Sequence, residues 1–169
     1  GNATLLGGEI YLEIHPHPMD WLHLENSISY VQATQSNQPE SSKYLPFIPA
    51  PRYRGEIKAE LKEVNHTFSN AYIKFGLDRF FKQDKFFSAY GTETATPAYT
   101  LLSAGIGTNI KAFNRSDFMS LYISGENLAD IAYQNHLSRL KYASENPVTG
   151  RMGVFNMGRN ISVKLIMNF

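Results

Sequence analysis

Asn160-Ile161-Ser162-Val163-Lys164-Leu165-Ile166-Met167-Asn168-Phe169 closes the chain, and its reading decides the fold. Ile161, Val163, Leu165, Met167 and Phe169 are apolar at every second position, while Asn160, Ser162, Lys164, Ile166 and Asn168 lie between them. A period of two places one oily face and one mostly polar face on an extended strand, where a helix would need a spacing of three and four.

The same alternation recurs upstream. Met119, Leu121 and Ile123 interleave with Ser120, Tyr122, Ser124 and Glu126, and Leu102, Ala104, Ile106 and Ile110 with Ser103, Gly105, Gly107, Asn109 and Lys111. The clearest case follows Pro51. There Tyr53, Gly55, Ile57, Ala59 and Leu61 oppose a charged ladder of Arg52, Arg54, Glu56, Lys58, Glu60 and Lys62. Ile73, Phe75 and Leu77 oppose Lys74, Gly76 and Asp78; Leu22, Leu24, Ile28 and Tyr30 oppose His23, Glu25, Ser27 and Ser29. Leu6, Ile10, Leu12 and Ile14 oppose Glu9, Tyr11 and Glu13. Roughly seven strands are expected, many of about ten residues, which suits a tilted strand crossing a bilayer.

Connector lengths add topology. Pro16–Met19, Glu63–Ser69 and Asn114–Asp117 are short, whereas Gln35–Ala50, Phe86–Thr96 and Ala129–Met157 are long and polar. They alternate along the chain, as in an up-and-down barrel with short periplasmic turns and longer extracellular loops. A C-terminal strand that ends on an aromatic fits the aromatic girdle of such a barrel. The expected fold is therefore all-β: a portion of an antiparallel up-and-down transmembrane β-barrel. The alternative is a soluble, lipocalin-like barrel around an apolar ligand, since period-two alternation does not say which face points outward.

Composition narrows the function. The chain has 169 residues, 18% of them charged and 13% aromatic. Sixteen Lys and Arg against fifteen Asp and Glu leave a formal charge of +1, so nothing points to nucleic acid. The absence of cysteine excludes disulfides, thiolate metal sites and Cys nucleophiles. A mean hydropathy of -0.30 is compatible with a membrane barrel, because half of each strand faces the lumen. Ser, His and carboxylates occur in no spacing that nucleophilic or metal hydrolysis needs, so no catalytic residue and no cofactor is assigned. Gly105-Ile106-Gly107 lies inside a strand, which makes it a packing or bending device rather than a phosphate loop.

The order of several segments resembles a known family. Ala3-Thr4-Leu5-Leu6-Gly7-Gly8-Glu9, the Trp21-Leu22 strand ending at Ser29-Tyr30, and Leu45-Pro46-Phe47-Ile48-Pro49 before the Arg52 strand are similar to the C-terminal barrel of TonB-dependent outer-membrane receptors. Pro97-Ala98-Tyr99-Thr100-Leu101-Leu102, Glu126-Asn127-Leu128-Ala129-Asp130 with Ala132-Tyr133, and Gly158-Arg159-Asn160 continue the likeness. It covers essentially the whole chain and, through Asn135-His136-Leu137-Ser138-Arg139-Leu140-Lys141-Tyr142, most resembles receptors of Bacteroides-type bacteria. The resemblance implies a twenty-two-stranded barrel around a plug, importing a scarce nutrient such as a ferric siderophore, haem, cobalamin or a glycan with energy passed through TonB. An iron chelate is the first expectation for the cargo, by analogy, and outer-membrane lipid and TonB are the implied partners. Roughly seven strands fall short of that barrel, and bacterial single-chain barrels have even strand counts. Residues 1–169 are therefore expected to be its C-terminal part, with the plug, the TonB contact and the earlier strands upstream.

His136, Arg139, Lys141, Tyr142 and Arg151 are the candidate ligand-contacting residues, because they share the longest loop and long loops on a rigid scaffold carry recognition. The same Asn135–Tyr142 segment has a second reading, in which it orders the loop. His15, His17, Asp20 and His23 cluster around a turn, where a metal site is conceivable. Pro16 and Pro18 favour a plain tight turn instead, and no metal ligand is assigned. The mixed signs of the charged ladder favour a wall of a water-filled lumen over a polyanion-binding strip.

Overall fold

A computed structural model describes residues 1–112 and 115–168, with no account of the side chains of 115–117; Phe169 and the tip of the turn at 113–114 lie outside the described residues. Seven strands form one sheet in sequence order: β1 (Ala3–Ile14), β2 (Leu22–Gln35), β3 (Arg52–Glu63), β4 (Phe68–Phe80), β5 (Tyr99–Ala112), β6 (Arg115–Glu126) and β7 (Asn160–Met167). Every neighbouring pair is antiparallel. Three short 3₁₀ turns, all in long loops, are the only helical pieces among the described residues. No helix among them is long and apolar enough to cross a membrane, a finding that says nothing of strands.

The expected strand count and loop alternation are observed. Short connectors at 15–21 and 64–67 lie at one end of the sheet, and the long ones at 36–51, 81–98 and 127–159 at the other. Proline limits the strands: Pro51 precedes β3 and Pro97 precedes β5, where the missing N–H costs no ladder bond.

Register carries the alternation of single strands into whole rows. Ile14, Leu24, Ile57, Phe75, Ala104, Gly125 and Ile161 are successive partners across all seven strands. Next to them run Leu22, Ala59, Ile73, Ile106, Ile123 and Val163. One residue away the rows are polar: His23, Lys58, Lys74, Gly105, Ser124 and Ser162, then Glu60, Tyr72, Gly107, Tyr122 and Lys164. A slip of one residue would move polar side chains, charged ones on β3 and β4, onto the apolar face, so the pattern itself fixes the pairing.

The apolar face is not a core. Ile57 is 54% exposed and Phe75 57%, and Ala33 and Tyr99 are the only buried hydrophobic residues among those described. Monomeric soluble domains rarely expose contiguous apolar rows of this kind, which mark a surface meant for lipid or a partner. A lipocalin-like protein would instead close its core around Ile57 and Leu61, and Leu61 is 53% exposed.

Candidate functional site

The polar face and the long loops above it form the candidate site. β3 and β4 supply its charges, which are neutralised locally. Arg52 donates from Nε and Nη2 to Asp78 Oδ1 at 2.8 and 2.6 Å. Lys74 Nζ donates to Glu56 Oε2 at 3.1 Å, Arg54 Nη2 stands 4.0 Å from the same oxygen, and Lys58 pairs with Glu60. Mixed signs along β3 and β4 let these charges pair inside the sheet, which suits a wall of a water-filled lumen better than a strip awaiting a polyanion.

Tyr72 and Tyr122 occupy one rung, with ring centroids 6.4 Å apart and Gly107 between them in the register. A Cβ at Gly107 would meet Tyr72 Cε1 at 2.4 Å and Tyr122 Cδ1 at 2.7 Å. The absence of a side chain at Gly107 therefore gives the two phenols room over the sheet, which is the packing role read from Gly105-Ile106-Gly107. These groups, with Arg54, Glu56, Lys74, Ser103, Asn160 and Lys164 below and Tyr133, Asn156 and Gly158 of the long loop above, line a cleft of about 680 Å³.

The three long loops are fastened to one another by buried polar groups. Glu93 accepts hydrogen bonds from Phe47 N at 2.7 Å and Phe87 N at 3.0 Å, joining loop 36–51 to loop 81–98. Lys141 reaches across from loop 127–159, where its Nζ donates to Thr94 O, Ala95 O and Thr96 Oγ1, each at 2.8 Å. Thr96 Oγ1 also bonds His136 Nδ1 at 2.8 Å. Thr96 Oγ1 thus accepts from Lys141 and is hydrogen-bonded to His136 Nδ1 at once, while His136 Nε2 is buried and makes no hydrogen bond with the described residues. Burial holds the His136 imidazole below its ordinary range; Glu93 pulls it up and Lys141 pushes it down. Burial likewise lowers the Lys141 ammonium, with Glu93 opposing.

The ends of loop 127–159 are tied as well. Asn127 exchanges hydrogen bonds with Ile131 N and O at 2.9 Å, and Asp130 Oδ1 accepts from Arg159 N at 2.9 Å. Gly153, with φ of +72° and Lys141 O only 2.2 Å from where a Cβ would lie, lets the returning chain pass against residue 141. Glu126–Asp130 and Gly158–Asn160 thus form the two feet of this loop.

Of the five candidate ligand contacts, His136 and Lys141 point inward and brace the loops. Arg139, Tyr142 and Arg151 are exposed. Arg139 lies 4.8 Å over the Phe47 ring, Tyr142 Oη accepts from Thr94 N at 3.3 Å, and Arg151 lies 5.3 Å over Phe155. The five do not converge on one pocket: the 680 Å³ cleft is lined by none of them. Glu93 and Thr96 escaped the sequence reading, since a buried polar residue in a loop without periodicity leaves no pattern. Tyr90, 97% exposed at φ of +60°, stands at the tip of loop 81–98 and was equally illegible.

At the opposite end the turn groups divide. His17 and Asp20 stay together in solvent at 3.8 Å, while His15 turns to Glu13, its Nε2 2.7 Å from Oε1, and packs edge-on to His23 at 4.5 Å between ring centroids.

The architecture defines a class: a portion of an antiparallel up-and-down transmembrane β-barrel, polar on one face, apolar on the other and long-looped at one end. No protein-family model and no curated protein matches the sequence. Among solved structures the chain is similar to one described as "Copper transporter OprC", with a TM-score of 0.73 and 16% sequence identity over 99% of this chain. The chain spans 23% of that protein's length. At this identity the likeness is one of fold.

Proposed function

We propose that this chain forms part of the wall of an outer-membrane receptor that imports a scarce small nutrient, with an iron chelate such as a ferric siderophore as the leading cargo. The observation that carries the reading is the separation of faces: whole rows of exposed Ile, Leu, Val and Phe on one side, and paired charges around a cleft on the other. In lipid only a closed barrel satisfies its backbone, so further strands complete the sheet, and outer-membrane lipid covers the apolar face. The resemblance to TonB-dependent receptors of Bacteroides-type bacteria supplies the energy source, TonB acting through a plug that belongs to the same protein. The fold neighbour, a copper transporter by its description, is in keeping with small-solute transport. No catalytic step belongs to this reading.

Within it the braced loops face the cell exterior, and Arg139, Tyr142, Arg151 and Tyr90 offer cationic and aromatic groups to an anionic, ring-bearing chelate. The test is uptake of ⁵⁵Fe-labelled chelates by cells carrying or lacking the gene, with and without a protonophore. Energy-dependent uptake of at least one chelate, lost with the gene, is expected. Normal uptake of every chelate in the deleted strain would refute the iron cargo. Labelling of a Ser144→Cys variant by an impermeant maleimide on intact cells is expected too, and its absence at normal surface expression would reverse the topology.

A further inference from the structure

We propose that Glu13, His15 and His23 form a binding site for one divalent transition-metal ion of the imidazole-preferring kind, such as Zn²⁺ or Cu²⁺, on the polar face at the tight-turn end of the sheet. The site stands on its own geometry and does not depend on the transport reading.

The register builds it. Glu13 pairs with Glu25 and Ile14 with Leu24, so the next rung of the β1–β2 ladder sets His15 opposite His23. Residues 13, 15 and 23 then share one face, as residues two apart and directly across must. Their ligand atoms all lie within 4.8 Å of one another. Metal bonds of about 2.0–2.2 Å place neighbouring ligand atoms roughly 3.0–3.4 Å apart, so small side-chain rotations suffice. Two imidazoles and one carboxylate, with further positions open to water, make a familiar donor set for zinc, copper, nickel or non-haem iron.

The surroundings favour a cation. Tyr11 Oη donates to Glu13 Oε2 at 3.2 Å, which holds the carboxylate with Oε1 turned to His15. Such an outer contact orients a metal-binding carboxylate. Glu25 stands across from Glu13, and Lys58, the cation opposite His23, is already paired with Glu60. Negative charge therefore exceeds positive around the triad. The side chains of Glu13 and His15 are 40% and 47% exposed, so an ion reaches them from water.

The complete chain, folded in detergent micelles and stripped with chelator, is titrated with Cu²⁺ and followed by electron paramagnetic resonance, and with Zn²⁺ by calorimetry. Wild type should bind one more equivalent of each metal than His15→Ala/His23→Ala, with nitrogen hyperfine splitting from two imidazoles in the difference spectrum. His15→Gln, which keeps a hydrogen-bond partner for Glu13, should lose the same equivalent, and Glu13→Gln should weaken it about tenfold or more. His17→Ala/Asp20→Asn should leave it intact. Equal stoichiometry in wild type and the folded His15→Gln variant overturns the proposal. So does a loss in His17→Ala/Asp20→Asn that matches the loss in the double alanine variant, because the exposed turn would then be a loose chelator.

Discussion

Replacing Ile57 with Arg should destabilise the inserted protein far more than removing the charge next to it. β3 runs 12 residues from Arg52 to Glu63, with Ile57 sixth. At roughly 3.3 Å per residue and a tilt of about 40° the strand rises about 30 Å, matching the hydrocarbon band and placing Ile57 within about 2 Å of its middle. Its partners Leu24 and Phe75 continue an apolar row to either side, so an introduced guanidinium has no nearby lumen or acid to reach on that face. Arg at the midplane of a lipid-facing barrel surface costs on the order of 2–4 kcal/mol, a factor of roughly 30 to 700 in the unfolding equilibrium. Lys58→Ala removes a half-exposed ion pair with Glu60 and a contact 5.2 Å over Tyr72, worth at most about 1 kcal/mol. Equilibrium denaturation of the complete chain in lipid vesicles measures both. An Ile57→Arg variant within about 0.5 kcal/mol of wild type, alongside a larger loss in Lys58→Ala, would refute the assignment of faces.

Three further outcomes are expected. Lys141→Met should strand two carbonyls and the Thr96 hydroxyl at about 1–3 kcal/mol each, so external protease should cut loop 127–159 much faster while the barrel keeps its heat-modified gel mobility. Acid should loosen the same loop: burial depresses the His136 imidazole below its ordinary 6.5, so the opened loop binds the proton more readily than the closed one. Its stabilising contribution is full above 6.5 and is lost as pH falls through the depressed value. Amide exchange over residues 129–143, corrected for intrinsic rates, should therefore rise on acidification in wild type and less so in His136→Gln. Finally, Gly107→Ala should lower thermal stability by about 1–3 kcal/mol through the Tyr72 and Tyr122 rings, with Tyr72→Ala restoring part of it; unchanged melting in the single variant would show that the rings are free to move.

Much of the fold was legible because two simple periodicities agree. Ile57, Ala59 and Leu61 between Glu56, Lys58 and Glu60 reveal a strand with opposed faces, and the short and long connectors reveal its meander. The site was only partly legible. Arg139, Tyr142 and Arg151 are on the surface of the long loop, where composition suggested them, yet His136 and Lys141 turn inward to groups in loop 81–98. That junction depends on the backbone carbonyls of Thr94 and Ala95, and carbonyls are the same in every sequence. The Glu13, His15 and His23 cluster was hidden for another reason. Neighbours in sequence drew His17 and Asp20 into the group, whereas the antiparallel register pairs residues whose numbers sum to a constant and so selects His15 and His23.

The measurement that bears most directly on the account is a spin-label scan from Glu56 to Leu61 of the complete chain reconstituted in bilayers, reading accessibility to oxygen and to a water-soluble nickel chelate. Labels at Ile57, Ala59 and Leu61 should be relaxed by oxygen, and those at Glu56, Lys58 and Glu60 by the nickel chelate, in strict alternation. The opposite phase, or uniform access of the nickel chelate to all six positions, would contradict a lipid-facing apolar surface and the receptor wall built on it.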